Sequence, residues 1–333
     1  MAPTVTPAPT PTPKPRPTPS IWGSYEKGQI TSPALANNLV GDPATCDYYV
    51  FLPPGYDTTT ERFPVVYVLH GFPLHAGYYF QEIKSAQESL RRIGEARDTI
   101  FVFPDAFNAF GGSFYLSSPT IGDYETYTTK ELVHQIDATY RTIPSREGRG
   151  ITGCSMGGFG ALPLGFKYPE VFSVVAANSG GYDWEHDPGW EDARASYTHE
   201  PSTWSQLGQL GLQAQVYFAV AAAVAPNPDK PPFFLDMPFT LVDGEAQIVE
   251  EVRQKVIAID PANDVRRYLD QPVRLRGLLI YHGEYDYVES ARTFLTLLTD
   301  LGVEHEYVEV KSGSHCGLDW TPVLMFMSEH LAR

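Results

Sequence analysis

The chain has 333 residues, of which 43% are hydrophobic and 13% aromatic, and its formal net charge is −16. This composition can build one large core, and the acidic balance excludes the basic face that nucleic acid or an anionic membrane surface demands. The longest strongly apolar run, residues 216–225, is ten residues long, about half of the roughly twenty that a membrane-spanning helix needs.

Residues 2–19 hold eight prolines and five threonines. The tract predicts an extended, semi-rigid linker over 1–20 that cannot form a core. Such tracts join the modules of secreted enzymes, so it implies secretion and a point of attachment for other modules, with no signal peptide legible after Met1. Residues 47–52 read as a strand closed by Pro53-Pro54-Gly55, and 63–69 as a continuous apolar strand ending in His70-Gly71-Phe72. A helix is expected over 78–96, a buried strand over 99–103, and a helix over 125–140 with Leu132, Ile136 and Tyr140 on one face. Residues 149–152 predict a strand, 159–166 a buried helix and 171–177 a further strand. Residues 183–265 break this rhythm with Trp, Tyr, Pro and short helical runs, and read as a lid inserted into one catalytic domain spanning 21–333. Order resumes with a strand at 275–282, a helix at 289–301, a strand at 305–310 and a last helix from Thr321. The alternation predicts an α/β fold with a doubly wound, mostly parallel sheet.

Between the strand at 149–152 and the helix at 159–166 lies Gly153-Cys154-Ser155-Met156-Gly157-Gly158. It fits G-x-S-x-G in the strand–turn–helix setting of a nucleophile elbow, where a serine sits on a strained turn between glycines that let strand and helix cross closely. A serine hydroxyl attacks only when a neighbouring base takes its proton, and that base is a histidine oriented by a carboxylate. His315 is the candidate base, in the Gly313-Ser314-His315 loop after the last strand; His282 is a rival at the end of a strand. Asp286, in Gly283-Glu284-Tyr285-Asp286, is the candidate acid, with Glu284 and Glu289 as alternatives. The resulting order of serine, acid and histidine is that of an α/β-hydrolase. Asp105 precedes the serine and reads as structural. Two backbone N–H groups, of Met156 and Phe72, are the candidate oxyanion donors.

The three cysteines are Cys46, Cys154 and Cys316. Cys154 precedes Ser155 and Cys316 follows His315, so convergence of serine and histidine would bring the two toward the roughly 4.4–6.8 Å α-carbon spacing of a disulfide. A Cys154–Cys316 bond is therefore expected, with Cys46 unpaired, and it fits an oxidising compartment.

His70-Gly71-Phe72, the run from Gly153 to Ala161, Gly283 with Asp286, and Gly313-Ser314-His315 resemble the esterase-D-like branch of α/β-hydrolases. That branch includes carbohydrate esterase family 1, with feruloyl and acetylxylan esterases, S-formylglutathione hydrolase and mycolyltransferases. The resemblance covers roughly residues 40–182 and 272–333. It implies an α/β-hydrolase fold with Ser155 as nucleophile, Asp286 as acid, His315 as base, and Met156 and Phe72 at the oxyanion hole. The segment 183–265 is longer than in compact feruloyl esterases of the branch, so their pocket residues do not carry over. The Cys154-Ser155 and His315-Cys316 pairs are similar to those of tannases and fungal feruloyl esterases, which leans toward phenolic esters.

Together these features imply a secreted serine esterase acting on hydroxycinnamoyl esters of plant cell-wall sugars, without a metal or cofactor. Its partner would be a small-molecule or polysaccharide-linked ester, not nucleic acid or membrane. Trp184, Trp204 and Trp320 are candidate substrate-binding residues, and the lid aromatics Trp190, Tyr197, Phe233 and Phe234 could stack on a phenolic acyl group or pack on one another. Alternative readings are an acetylxylan esterase, a general carboxylesterase or polyesterase, an acyltransferase on the same residues, and a non-catalytic carbohydrate-binding module.

Overall fold

The computed structural model describes residues 23–286 and 288–332; the linker expected at 1–20 lies outside the described residues. Eight strands share one sheet: β1 (Ser24–Thr31), β2 (Thr45–Leu52), β3 (Val65–Leu69), β4 (Ile100–Pro104), β5 (Arg149–Cys154), β6 (Val174–Asn178), β7 (Gly277–Gly283) and β8 (Glu306–Val310). Their order across the sheet is β1-β2-β4-β3-β5-β6-β7-β8. β2 pairs antiparallel with β1 and β4, and the other pairings are parallel. The strands from β3 to β7 are apolar and almost wholly buried, because helices cover both faces of the sheet. The doubly wound, mostly parallel sheet expected from the alternation of elements is the one the chain adopts. β1 is an addition to it. Its sequence, SYEKGQIT, has no apolar alternation, since it is a mostly exposed edge strand held by one neighbour.

The main helices are α1 (Phe80–Ile93), α2 (Leu132–Thr139), α3 (Met156–Lys167), α4 (Gly189–Ser196), α5 (Leu212–Val224), α6 (Glu250–Ile257), α7 (Pro261–Tyr268), α8 (Val288–Asp300) and α9 (Thr321–His330). α1 and α9 cover one face, packing Ile83, Leu90, Val323 and Met327 against Val66, Val68, Phe101 and Tyr281. α2, α3, α7 and α8 cover the other, where Ile136, Leu162, Val265 and Phe294 join Tyr67, Ile151 and Ile280. The helical stretch expected over 125–140 is present, but it opens through a π-helical turn at Tyr127–Glu131.

Residues 183–265 lie in the connection between β6 and β7, with α4, α5, the hairpin Phe239–Val242/Glu245–Ile248, α6 and α7. Its aromatic side chains pack mostly on one another. The Trp190 ring lies 4.2 Å from Tyr217, and Trp204 sits between Phe110 and Phe233 at 5.0 Å from each. α7 returns to the sheet's helical layer, with Tyr268 on Phe166 of α3 at 5.2 Å. The apolar run at 216–225 falls mainly in the buried α5. No helix among the described residues is long and apolar enough to cross a membrane.

Register then decides what converges. Leu69 pairs with Gly153, Cys154 with Asn178, and Gly283 with Val310. The carboxyl ends of β3, β5, β6, β7 and β8 therefore lie side by side, and the loops leaving them share one edge.

Candidate active site

Ser155 caps α3 with φ 58° and ψ −120°. This region is sparsely populated for a residue with a side chain and costs on the order of 1–3 kcal/mol. The flanking glycines make the turn possible. A β-carbon on Gly157 would lie 2.2 Å from the Leu69 carbonyl oxygen, and one on Gly153 would lie 2.6 Å from that same atom. Asn178 secures the turn by accepting the Ser155 N–H at 3.1 Å.

The loop after β3 runs alongside. A β-carbon on Gly71 would come within 3.2 Å of the Cys154 carbonyl oxygen and 3.4 Å of Ser155 Cβ. His70 holds this loop: its Nε2 accepts the Ala106 N–H at 2.8 Å, which puts its proton on Nδ1, where it is donated to the Gly71 carbonyl at 3.0 Å. Phe72 and Met156 line the same cavity as Ser155, and Met156 opens the first turn of α3, whose N–H groups point at that end.

Asp286 and His315 come together on neighbouring loops. His315 Nδ1 donates to Asp286 Oδ1 at 2.8 Å, with the carboxylate 1% exposed and the imidazole 44% exposed. Burial pushes the Asp286 carboxyl up, but the hydrogen bond and charge of His315, with help from the Ser179 hydroxyl, outweigh it and hold the group below its usual range. The two loops are tied by their backbones, Glu284 N–H to Val310 and Tyr285 N–H to Gly313 at 3.0 and 2.9 Å. Glu284, an alternative acid, is exposed and accepts the Ser312 N–H at 2.7 Å. Glu289 is exposed at the cavity rim. His282 is fully buried, with Nε2 3.3 Å from the Gly180 carbonyl and Nδ1 3.6 Å from Asp286 Oδ2. Burial lowers its pKa, so it is a neutral second neighbour of the acid. Asp105 closes β4 and accepts the Phe107 N–H at 3.0 Å.

Cys154 and Cys316 form a disulfide, with α-carbons 5.8 Å apart, and Cys46 is free. The bond joins the serine loop to the histidine loop one residue from each side chain. Ser179 works at the same junction, although the sequence reading gave it no role. Its backbone is left-handed at φ 50°, its hydroxyl accepts the Cys316 N–H at 3.2 Å, and its one proton has Asn178 Oδ1, 3.1 Å away, and the Asp286 carboxylate as alternative acceptors. An Asn-Ser-Gly-Gly run directly after a buried strand was the available signal.

Ser155, His315, Ser179, Met156 and Phe72 line a cavity of about 690 Å³. Phe114, Phe159 and Trp184 form one wall, their rings 5.7–6.1 Å apart in edge-to-face pairs. Trp184 is pinned at both backbone groups: its N–H donates to Asp260 at 2.7 Å and its carbonyl accepts the Trp190 indole N–H at 2.9 Å. Among the described residues lining the cavity there are three carboxylates, Asp183, Asp187 and Glu289, and no lysine or arginine. Of the three tryptophans singled out from the sequence, only Trp184 lines this cavity. Trp204 is held between Phe110 and Phe233, and Trp320 is buried against Tyr79 at 5.1 Å beneath the other face of the sheet. Their composition gave no means of separating wall from core.

Residues 44–227, more than half of the chain, match the family described as "Putative esterase". The chain belongs to this esterase family. Among curated relatives, Esterase Rv1288 of Mycobacterium tuberculosis is 34% identical over 134 residues, covering 39% of this chain and 28% of the relative. The endo-1,4-beta-xylanase/feruloyl esterase of Xylanibacter ruminicola is 26% identical over 141 residues, 40% of this chain and 19% of that protein. The chain thus aligns with less than a third of these relatives' own length. A solved ferulic acid esterase superposes with a TM-score of 0.63 at 20% identity, covering 94% of this chain and 100% of the other. The ferulic acid esterase Fae1A of Anaeromyces mucronatus, in complex with ferulic acid, gives 0.54 at 17% identity over 93% and 90% of the two chains. At these identities the likeness is one of fold, the α/β-hydrolase-like fold anticipated from the elbow motif.

Proposed function

We propose that this esterase is a secreted feruloyl esterase that cleaves hydroxycinnamoyl esters of plant cell-wall polysaccharides through an acyl-enzyme on Ser155. The observation that carries the reading is the strained Ser155 opening into an aromatic-walled cavity shared with His315, which is hydrogen-bonded to the buried Asp286. Because His315 Nδ1 carries the proton given to Asp286, Nε2 presents its lone pair and can take the serine proton. Ser155 Oγ then attacks the ester carbonyl. The N–H groups of Met156 and Phe72 receive the oxyanion, each such donor supporting the transition state by about 3 kcal/mol. The imidazolium returns its proton to the departing sugar alcohol. A water, deprotonated by the same Nε2, releases the acid and restores the serine. Secretion is supported by the disulfide and by the extent of the Pro/Thr tract.

A substrate panel tests this. Methyl ferulate is expected to turn over with a higher kcat/KM than p-nitrophenyl acetate, and acetylated xylan to react slowly. Rapid deacetylation of xylan with methyl ferulate inert would move the enzyme to the acetylxylan class. Ser155→Ala should lower kcat by about 10⁴-fold or more without changing thermal unfolding, and a fully active variant removes the mechanism.

A further inference from the structure

The cavity does not end at its aromatic wall. From Phe159, one helical turn after Ser155, ring centroids step 5.7 Å to Trp184 and a further 5.9 Å to Tyr217 of α5. At that end the Tyr217 hydroxyl donates to Asp187 Oδ2 at 2.7 Å, and Asp187 Oδ1 accepts the Gly189 N–H at 2.8 Å. Tyr217 and Asp187 both line the cavity. A half-buried carboxylate in the wall of a largely apolar cavity, with no lysine or arginine among the described lining residues, is not explained by ester cleavage at Ser155. An ion pair would have neutralised it more simply.

We propose that Asp187, oriented by Tyr217, is a polar subsite that accepts a hydrogen bond from the phenolic hydroxyl of the acyl group. The subsite rests on the hydroxycinnamoyl reading above and deepens it. A carboxylate is acceptor-only when ionised, and each of its oxygens can take a second hydrogen bond beyond the one it already has. The hydroxyl of a flat phenolic acid, with its ring along Phe159 and Trp184, supplies the matching donor. Two groups fix the carboxylate's position, Tyr217 and the first amide of α4, so little ordering remains when the ligand arrives. Burial raises the Asp187 pKa, opposed by the Tyr217 hydrogen bond; a phenolic donor would favour the charged form further. The chemistry selects a para-hydroxyl over a para-ether, because an ether oxygen has no proton to give and would oppose its lone pairs to the carboxylate.

The test compares methyl ferulate with methyl 3,4-dimethoxycinnamate, which differ only in that hydroxyl. The wild-type kcat/KM ratio is expected to favour ferulate by about tenfold or more, since a site built to bind a hydroxyl rejects the analogue without it. Asp187→Asn replaces one acceptor oxygen by a donor amide and should reduce that ratio to near unity; Tyr217→Phe, which leaves the carboxylate unoriented, should reduce it about threefold to tenfold. Both esters are measured on the same preparation, so partial misfolding scales both rates alike and the ratio reports the folded enzyme alone. A wild-type enzyme that cleaves both equally, or variants that keep the wild-type ratio, overturn the subsite while leaving the feruloyl reading intact. An enzyme that cleaves p-nitrophenyl acetate but neither cinnamate overturns both.

Discussion

The sheet edge and the β6–β7 connection solve opposite problems. At the sheet edge, five loops leave adjacent strands, and backbone register alone sets their spacing. Ser155, Asp286 and His315 need only the right loop to stand near one another. In the connection no such ladder exists, and position comes from aromatic rings packed on aromatic rings, as with Trp190, Tyr217 and Phe239. The first region places chemistry by hydrogen-bonded geometry. The second shapes the cavity and depends on that packing. Variants in the two regions should therefore separate catalytic power from substrate preference.

The sharpest break falls on the sheet edge. Removing the disulfide by Cys154→Ser with Cys316→Ser opens a loop of 162 residues, worth at most about 5 kcal/mol in the chain-entropy model. We expect a clear drop in melting temperature together with lower kcat, and a thiol count under denaturing, non-reducing conditions should find one free thiol in the native chain, Cys46. Three free thiols would dissolve the bond. Next is Asp260, within the connection, which accepts the Trp184 N–H. Burial first, then the charges of Asp183, Glu185 and Asp187, raise its pKa from 3.8 to about 7. The unfolded carboxyl ionises at lower pH than the folded one, so its contribution is present below about pH 4 and is lost as pH rises toward 7. Asp260→Asn keeps an acceptor for Trp184 and should stabilise the protein at pH 8 by on the order of 2–4 kcal/mol, at ~1.4 kcal/mol per tenfold change in acidity, with no gain at pH 4. Denaturation midpoints at the two pH values decide it.

Smaller effects divide the regions more finely. Ser179→Ala deprives the Cys316 N–H of its acceptor and Asp286 of a hydrogen bond. It should lower kcat by about tenfold, at ~1.4 kcal/mol per decade, and move the acid limb of the pH profile upward. A lower rate with an unmoved limb would make Ser179 a folding residue only. Last, Trp184→Ala should lower kcat/KM for aromatic acyl groups more than for acetate, whereas Trp204→Ala should lower the melting temperature and leave that preference alone. If the two behave alike, the distinction between wall and core fails.

Legibility follows the same division. The strands from β3 to β7 could be read because each is a largely apolar run, β2 and β8 because each is closed by a Gly-containing turn, and the elbow and the acid and base loops because they follow such strands. The disulfide followed from two sequence adjacencies. β1 escaped notice because an exposed edge strand owes its conformation to one neighbour and not to an apolar face. Ser179 escaped, and His282 was read only as a rival base, because their roles arise from register: Asn178 beside Cys154 sets Ser179 at the junction, and His282 reaches Asp286 only once β7 is packed. In the connection, the sequence shows that aromatic residues are abundant but not which ring faces the cavity. Trp184 does and Trp204 does not, because Trp184 lies in the loop that leaves β6 whereas Trp204 is enclosed by Phe110 and Phe233.

The bridge between Cys154 and Cys316 also carries a timetable. At a synthesis rate of roughly 5–20 residues per second, the first of these thiols emerges on the order of 10–30 s before its partner. During that interval Cys46 is a cysteine of the same chain that is already made and that it could meet. The two are kept apart in the finished protein, Cys46 on β2, next to the edge strand, and Cys154 at the end of β5. A chain oxidised too early would trap that mismatch across two strands that are not neighbours. Productive maturation therefore asks for oxidation that trails translation, and for a means of undoing the early pairing when it does not.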